Sequence, residues 1–450
     1  MNEVIFTEED FSSLGTQLRR SKFESCAILL TSPIRQEKGS RLLVRDIHMA
    51  PPDAYRRRNT SRAVLDPAFL APLAKRALKL RSGLAFVHTH PWEKGTPNFS
   101  LTDDQGEQLL TAFLKHRKLL GPHVALLFGQ NSCRARLLGT HREVRVITLG
   151  KSRAIVFEPS ILKTLHRYHD RQVRLLGVHG QDVISRLRVG IVGLGGTGSV
   201  VAQELAYLGI RNFLLIDPDT VDKTNLNRLV GAYRKHIDRP KVRVASEHIR
   251  QINPEATVSA LSQSVLDADT ARSLLATDFI FCCTDSQASR AVLNQLAYQY
   301  LIPTIDSGVS ITTGGQKVDR IAGRIQLLSP GQACLTCQEL LNANVVREEF
   351  MTPEQRAQDP YFVGVGEPQP AVVSLNGTIS SLAVTMFLAV VTDLPSSARY
   401  LLYDALQGKV RPATASQYPT CIVCSKHGSL ARGDQWSLPV RQVSTHEPVK

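Results

Sequence analysis

At 450 residues the chain exceeds one ordinary hydrophobic core, and its length points to two or three domains. It is 43% hydrophobic and 21% charged, the balance of a soluble globular protein, and no run reaches the roughly 18 consecutive apolar residues of a membrane span. The formal charge of +14 raises nucleic acid as a partner, but no recognised nucleic-acid motif accompanies it, so a solvated basic face or a dock for an acidic protein is expected instead.

Residues 1–150 hold 23 Lys+Arg against 14 Asp+Glu, so +9 of the charge lies in this third of the chain. Its start, MNEVIFTEEDF, lacks the basic and apolar segments of a signal peptide, and the expectation is a cytoplasmic protein with no membrane partner. Thr7 to Arg20 reads as a helix, ESCAILL (24–30) as a strand, LDPAFLAPLAKRALKL (65–80) as a helix and LAFVHTH (84–90) as a strand. LTDDQGEQLLTAFLKHRK (101–118) is a helix, and HVALLFG, SCRARLLG and HREVRVITLG close the segment as strands. Residues 1–150 are therefore expected to form a mixed α/β domain. SILKTLHRYHDRQVRLLG reads as a helical connector within 151–180.

From 181 to 430 the pattern changes. RVGIVGLGGTGSVVAQELAYLGI (188–210) is strand, glycine turn and helix, and NFLLIDPDTV (212–221) a second strand. KVRVASEHIRQIN is a helix, DFIFCCTD a strand, SQASRAVLNQLAYQY a helix and IPTIDSGVSI a strand. Continuous apolar strands alternating with helices predict a doubly wound, mostly parallel α/β sheet. Residues 338–370 have the composition of a mobile loop. The chain beyond about 425 reads as poorly ordered, with 431–450 as a tail.

Three groups of residues carry chemistry. In the first, His88-x-His90 ends a strand, and alternation puts both imidazoles on one face. Asp103 supplies a carboxylate, and two histidines plus a carboxylate leave zinc an open position for water. Ser100-x-x-Asp103 is equally a helix capping box, and H-x-H also occurs on ordinary edge strands. The full string Glu24 … His88-x-His90-Pro91 … Ser100-x-x-Asp103 resembles the JAB/MPN metalloproteases, zinc isopeptidases that cleave ubiquitin-like proteins after their C-terminal glycine, over roughly residues 5–150. The resemblance implies His88, His90 and Asp103 as ligands of a catalytic zinc, Glu24 as acid and base, and Ser100 as oxyanion donor.

In the second, GLGGTGS (193–199) joins a strand to a helix, where backbone amides and the helix N-terminus bind phosphate. Gly193, Gly195 and Gly198 also fit the dinucleotide fingerprint, with Asp217 at the ribose-binding distance, which alone favours NAD and a dehydrogenase. Asn225, Arg228, Lys241 and Asp285 reverse that preference, because the cations suit a triphosphate and Asp285 can hold Mg²⁺. Residues 165–425 resemble the ThiF/MoeB/HesA superfamily of ubiquitin-activating-like adenylyltransferases. The resemblance implies that Gly196 lies at the phosphates, Asp217 on the ribose, Asn225, Arg228 and Lys241 on the phosphates and Asp285 on magnesium. RYHDRQ (167–172) is similar to the family's opening motif, and Arg171 would then reach the neighbouring subunit's nucleotide in a homodimer.

The third group is two CxxC pairs, Cys334/Cys337 and Cys421/Cys424, which in a reducing compartment read as zinc ligands rather than disulfides. The resemblance makes that zinc structural. Relatives that form a thioester carry a cysteine after the first CxxC, and none lies between Cys337 and Cys421. Cys282 and Cys283, in an apolar strand, make poor nucleophiles.

Together these readings imply a bifunctional enzyme of ubiquitin-like or sulfur-carrier protein metabolism. One domain would be a zinc (iso)peptidase acting after the carrier's C-terminal glycine. The other would adenylylate the exposed carboxylate using ATP and magnesium. The alternatives are adenylylation of a small carboxylate on tRNA, and a catalytically weak scaffold that binds a ubiquitin-like protein.

Overall fold

A computed structural model of the chain describes residues 2–37, 39–159, 167–314, 317–351, 355 and 370–441. It divides into two compact units. The first comprises residues 1–162, 299–301 and 429–437, and the second the remainder.

In the first unit β1 (Glu3–Thr7), β2 (Cys26–Gln36), β3 (Gly39–Met49), β6 (Gly83–Thr89), β7 (Val124–Phe128), β8 (Cys133–Leu137), β9 (Arg145–Leu149) and β10 (Arg153–Phe157) form one sheet in the order β10-β9-β1-β3-β2-β6-β7-β8. A hairpin of β4 (Tyr55–Arg58) and β5 (Ala63–Leu65) stands apart from it. The helices are α1 (Glu8–Leu18), α2 (Pro67–Lys79) and α3 (Leu101–His116).

Alternation along the strands makes two cores. Ala27, Leu29, Ala85 and Val87 pack with Leu14 and Leu18 of α1. Ile28, Leu30, Leu84 and Phe86 pack with Leu70 and Ala74 of α2 and Leu114 of α3. His88 has the parity of Leu84 and Phe86, so it emerges on the face that carries α3.

The expected helix from Thr7 is corrected at its start. Glu3–Thr7 is a wholly buried strand paired in parallel with both β3 and β9. The α1 helix follows, with Thr7 Oγ1 accepting from Asp10 N at 3.1 Å and Glu8, Glu9 and Asp10 in the first turn. The expected connector likewise holds a strand, β10, antiparallel to β9. Residues 160–166 of that helix expectation lie outside the described residues, and α4 is Asp170–Arg186, with Gly177 out of helical geometry inside it.

The disorder expected beyond residue 425 is also corrected as far as residue 441. Within the first unit, Gln435 donates to Ser82 Oγ at 3.1 Å and accepts from Arg45, and Tyr300 donates to Asp434 at 2.9 Å. A Cβ at Gly433 would lie 2.7 Å from Ile34 Cδ1. Residues 442–450 lie outside the described residues.

The second unit has the expected Rossmann-like α/β fold. Its strands are β11 (Arg188–Val192), β12 (Asn212–Ile216), β13 (Thr257–Leu261), β14 (Phe279–Cys282), β15 (Thr304–Gly314), β16 (Lys317–Leu328), β17 (Tyr400–Asp404) and β18 (Lys409–Pro412), in the order β13-β12-β11-β14-β15-β16-β17-β18. The first five run parallel and the last three extend the sheet antiparallel. Helices α5 (Gly196–Tyr207), α6 (Lys241–Ile252), α7 (Ala268–Ser273), α8 (Gln287–Gln299), α9 (Ala343–Phe350) and α10 (Val373–Val391) accompany it. The chain runs from β11 outward to β13, then returns to β14 on the other side of β11, so the strand order reverses between β11 and β14. Ligands of such sheets bind at that crevice, beyond the carboxyl ends of the strands.

Two expectations change here. Part of the 338–370 loop is helix α9, with Asn342 capping it, while residues 352–354 and 356–369 lie outside the described residues. Helix α10 is long and apolar enough to cross a membrane, with mean hydropathy 1.6, which the sequence reading passed over. Its buried stripe, Asn376, Ile379, Ala383, Phe387 and Val390, recurs every three or four residues and packs on the unit's core. Phe387 meets Phe279 edge-on at 4.8 Å.

Candidate functional site

In the first unit, three segments converge. Strand β6 delivers His88, the residue immediately after it is His90, and the first turn of α3 delivers Asp103. Asp103 Oδ1 lies 3.0 Å from His88 Nε2 and Oδ2 lies 3.5 Å from His90 Nε2. One ligand atom from each of the three residues falls within 4.8 Å of the others. Burial opposes a charged Asp103, yet the two imidazoles outweigh it and hold the carboxyl well below its ordinary range.

Both readings of Ser100 and Asp103 hold at once. Asp103 N donates to Ser100 Oγ at 3.2 Å, and Ser100 N donates to Asp103 Oδ2 at 2.7 Å, which is a complete capping box. Ser100 Oγ also donates to Oδ2 at 2.8 Å, so the hydroxyl stands beside the candidate metal ligands.

Glu24 is not on the strand it was expected to head: β2 begins at Cys26. It is held nonetheless. Its amide donates to Asn59 O at 2.9 Å, and its carbonyl accepts from Arg58 Nε at 2.8 Å. The residue is buried, and burial lifts its carboxyl above the ordinary value against the pull of His88 and His90.

The donor set fits zinc. His88 Nε2 is a buried polar atom with no hydrogen-bond partner among the described residues, since its approach to Asp103 has ion-pair distance without hydrogen-bond geometry. The set leaves room for a fourth, exchangeable ligand. Sequence reasoning missed Glu93, whose Oε1 lies 2.9 Å from His90 Nδ1 and so fixes the ring from its far side, and Trp92, stacked on His90 at 5.0 Å. A carboxylate three residues past the H-x-H was the available signal.

In the second unit, Gly193 follows β11 at the switch point. Its φ is +87°, and a Cβ would lie 2.7 Å from Cys283 O, so backbone packs on backbone there. A Cβ at Gly198 would sit 1.9 Å from Gly193 O. At Gly195, the cap of α5, it would meet nothing within 4 Å, so there is open space beside the helix N-terminus, where phosphate can bind.

Asp217 follows β12 and is buried. Its Oδ2 accepts from Leu194 N at 2.5 Å and its Oδ1 from Asp219 N at 2.8 Å, so it braces the glycine loop. Burial raises its pKa and Lys241 opposes that. Lys241 opens α6 and donates to Asp219 Oδ2 at 2.7 Å. Asn225 closes a cap with Asp222. Arg228 Cδ comes within 3.5 Å of where a Gly196 Cβ would stand, which places this arginine over the loop.

Asp285 is exposed just beyond β14, and Arg171 is exposed on α4. Two residues in this region had not been expected. Asn376 reaches from α10 to where a Gly196 Cβ would be, at 2.1 Å, and a buried amide in an apolar helix was the clue. Arg290 donates to Thr284 O at 3.1 Å and, with Arg324, faces the fully buried Asp306. Burial raises that carboxyl and the two arginines outweigh it.

The four CxxC cysteines are buried together. Cys334 and Cys421 sulfurs are 3.6 Å apart and those of Cys337 and Cys424 are 3.4 Å apart, too far for a disulfide at about 2.05 Å. Ligands at about 2.3 Å from a tetrahedral zinc stand about 3.8 Å from one another, so the set fits a closed structural site. Hydrogen bonds from Cys424 and its neighbours pull the Cys334 thiol below an ordinary thiol. Elsewhere burial dominates: Cys283 is pushed up to about 12 and Cys282 well above an ordinary thiol, so neither is a ready nucleophile.

A model of the ThiF family matches residues 169–423. Molybdopterin-synthase adenylyltransferase of Escherichia coli (strain K12) is 29% identical over 262 residues, covering 57% of this chain and 96% of that protein. Sulfur carrier protein ThiS adenylyltransferase of the same organism is 26% identical over 260 residues, covering 57% and 94%. Ubiquitin-like modifier-activating enzyme 5 of Arabidopsis thaliana is 27% identical over 282 residues, covering 57% and 61%. With more than half of its length matched, a glycine loop at the switch point of its second unit and cations beside that loop, the chain belongs to the ThiF family.

Proposed function

We propose that this chain is a bifunctional enzyme acting on a ubiquitin-like or sulfur-carrier protein that ends in glycine. It hydrolyses the bond after that glycine and joins the carboxylate to AMP. The relatives named as adenylylating a sulfur carrier protein and as activating a ubiquitin-like modifier support the second half. The observation that carries the first is the convergence of His88, His90 and Asp103 on one point beside buried Glu24.

For hydrolysis, zinc held by His88, His90 and Asp103 would supply a Lewis acid and a water of lowered pKa. Glu24 would take a proton from the attacking water and return it to the departing amine, a shuttle suited to a carboxyl whose pKa burial has raised. Ser100 Oγ–H would donate to the oxygen that gains charge as the carbonyl becomes tetrahedral.

For adenylylation, the Gly195 and Gly196 amides and the N-terminus of α5 would receive phosphate oxygens, and Asp217 would meet the ribose. Arg228, Lys241 and Asn225 would neutralise the triphosphate, and Asp285 would hold magnesium. A carrier carboxylate oxygen then bonds to the α-phosphorus as the bond to pyrophosphate breaks, and the positive residues stabilise the charge that leaves. Arg171 would complete the site across a homodimer. The four-cysteine zinc would be structural.

The test is ATP–pyrophosphate exchange with magnesium and candidate carriers. Exchange that requires an intact terminal glycine is expected. Tight binding of NADH with no ATP-dependent exchange would remove the reading.

A further inference from the structure

Beside the candidate metal ligands the first unit opens a cavity of about 470 Å³. Its walls include Ile28, Leu65, Leu70, Phe86, Leu110 and Phe113, while Glu24, His88 and Asp103 also line it. Ile28, Leu70 and Phe86 belong to the core between sheet and helices. Leu65, Leu110 and Phe113 are only partly buried against that core. At roughly 30 Å³ per water the space would hold on the order of fifteen waters against a mainly apolar wall, and exchanging such water for an apolar group is favourable.

A glycine at the scissile bond makes no use of this space, because it has no side chain to place there. The cavity shares His88 and Asp103 with the candidate metal site, so its occupant adjoins the bond to be cut. The glycine cannot fill it, and the other residue joined by that bond is the one whose amine departs.

We propose that the cavity is the subsite for that departing residue and selects a large aliphatic or aromatic side chain. The inference rests on the peptidase reading and narrows its substrates: the preferred bond is glycine followed by an amino acid such as leucine or phenylalanine, as in a precursor carrying a C-terminal extension. A lysine ε-amine would bring only its methylene stem to the same walls.

Gly106 gives a way to close the cavity without breaking the fold. It lies three residues after Asp103, on the same face of α3, and lines the space. A Cβ at Gly106 would meet nothing within 4 Å. A leucine there extends into the cavity, and replacing glycine inside a helix favours the helix.

The decisive measurement uses full-length protein with its zinc in place, titrated with fluorescein-labelled peptides Xaa-Ser-Ser-Lys, Xaa being Phe, Leu or Gly. The Phe and Leu peptides are expected to bind ten- to a hundredfold tighter than the Gly peptide, the range for burying one large apolar side chain. Gly106→Leu is expected to erase that difference with no fall in thermal midpoint. In parallel, the zinc-loaded protein is given carriers extended past glycine by the same sequences, and kcat/KM should follow the same order. Equal peptide affinities, or an undiminished preference in Gly106→Leu, overturn the subsite. Preferential binding accompanied by cleavage of no carrier overturns the peptidase reading, and the assignment as a protease subsite with it.

Discussion

Ser100 and Asp103 close a mutual cap at the start of α3, and the Asp103 carboxylate that closes it also faces His88 and His90. One side chain thus serves helix and metal together. Replacing Ser100 by Ala removes one capping bond, which costs about 1 kcal/mol, and removes the hydroxyl beside the metal. Hydrolysis should fall about 10²–10³-fold, the typical cost of losing one oxyanion donor, with zinc content unchanged. Thermal unfolding, metal analysis and cleavage rate measured on one preparation check all three. A variant that cleaves at the parental rate removes Ser100 from the chemistry and leaves it a cap.

Metal analysis should find close to two zinc ions per chain. His88→Ala combined with His90→Ala should lose one and keep the second unit folded. Cys337→Ser should lose the other, with destabilisation, because the three remaining buried sulfurs are then left without the ion that gathers them. One zinc per chain that survives the double histidine substitution would rule out the site on α3.

The two reactions should separate by substitution. Glu24→Gln keeps shape and removes the base, so cleavage of an extended carrier should drop by at least about 10²-fold while pyrophosphate exchange persists. Asp285→Ala should do the reverse. Loss of both activities in either variant would mean that the two reactions are coupled.

Gly198→Ala places a methyl group where Gly193 O already stands, at 1.9 Å. The loop must shift, at a cost of about 1–3 kcal/mol, and ATP binding should weaken at least tenfold. Gly377→Ala on α10, where a Cβ meets nothing within 4 Å, is the control. If both variants bind ATP alike, loop packing does not govern the nucleotide site.

Arg171 is exposed on α4, as a residue serving a second copy would be. Its guanidinium is planar, always charged and able to donate two parallel hydrogen bonds, which suits a triphosphate. Arg171→Ala should depress exchange, and Asp285→Ala should abolish it. Mixing the two variants should restore part of the activity, because a mixed dimer holds one site with an intact Asp285 and a partner-supplied arginine. No recovery after confirmed subunit exchange rules the shared site out.

The sequence made the second unit legible because its strands are continuous apolar runs punctuated by glycine. Gly193 and Gly198 stand where a turn and a tight helix contact demand them. His88 and His90 were readable from alternation alone, since parity along β6 sets their face. Strand β1 was not, because a five-residue strand buried on both sides has no polar alternation to mark it, and its neighbours lie up to 142 positions away in sequence. The antiparallel extension β16 to β18 and helix α10 were missed for a related reason: their partners are supplied by tertiary packing. Glu93, Asn376 and Arg290 matter through what they touch, and local pattern carries no record of that.

The first unit is assembled from residues near both ends of the chain, with Gln435 bonded to Ser82 and Arg45 and Gly433 set against Ile34. During synthesis, residues 1–162 leave the ribosome roughly 270 residues before this closing segment exists. At about 5–20 residues per second that interval is on the order of 15 to 55 s. Throughout it the nascent unit lacks the segment that covers Ile34 and satisfies Ser82, so it matures only after residue 437 has been made. A ribosome that stalls before residue 429 therefore releases a chain whose first unit is incomplete, although every residue of its candidate metal site has already been made.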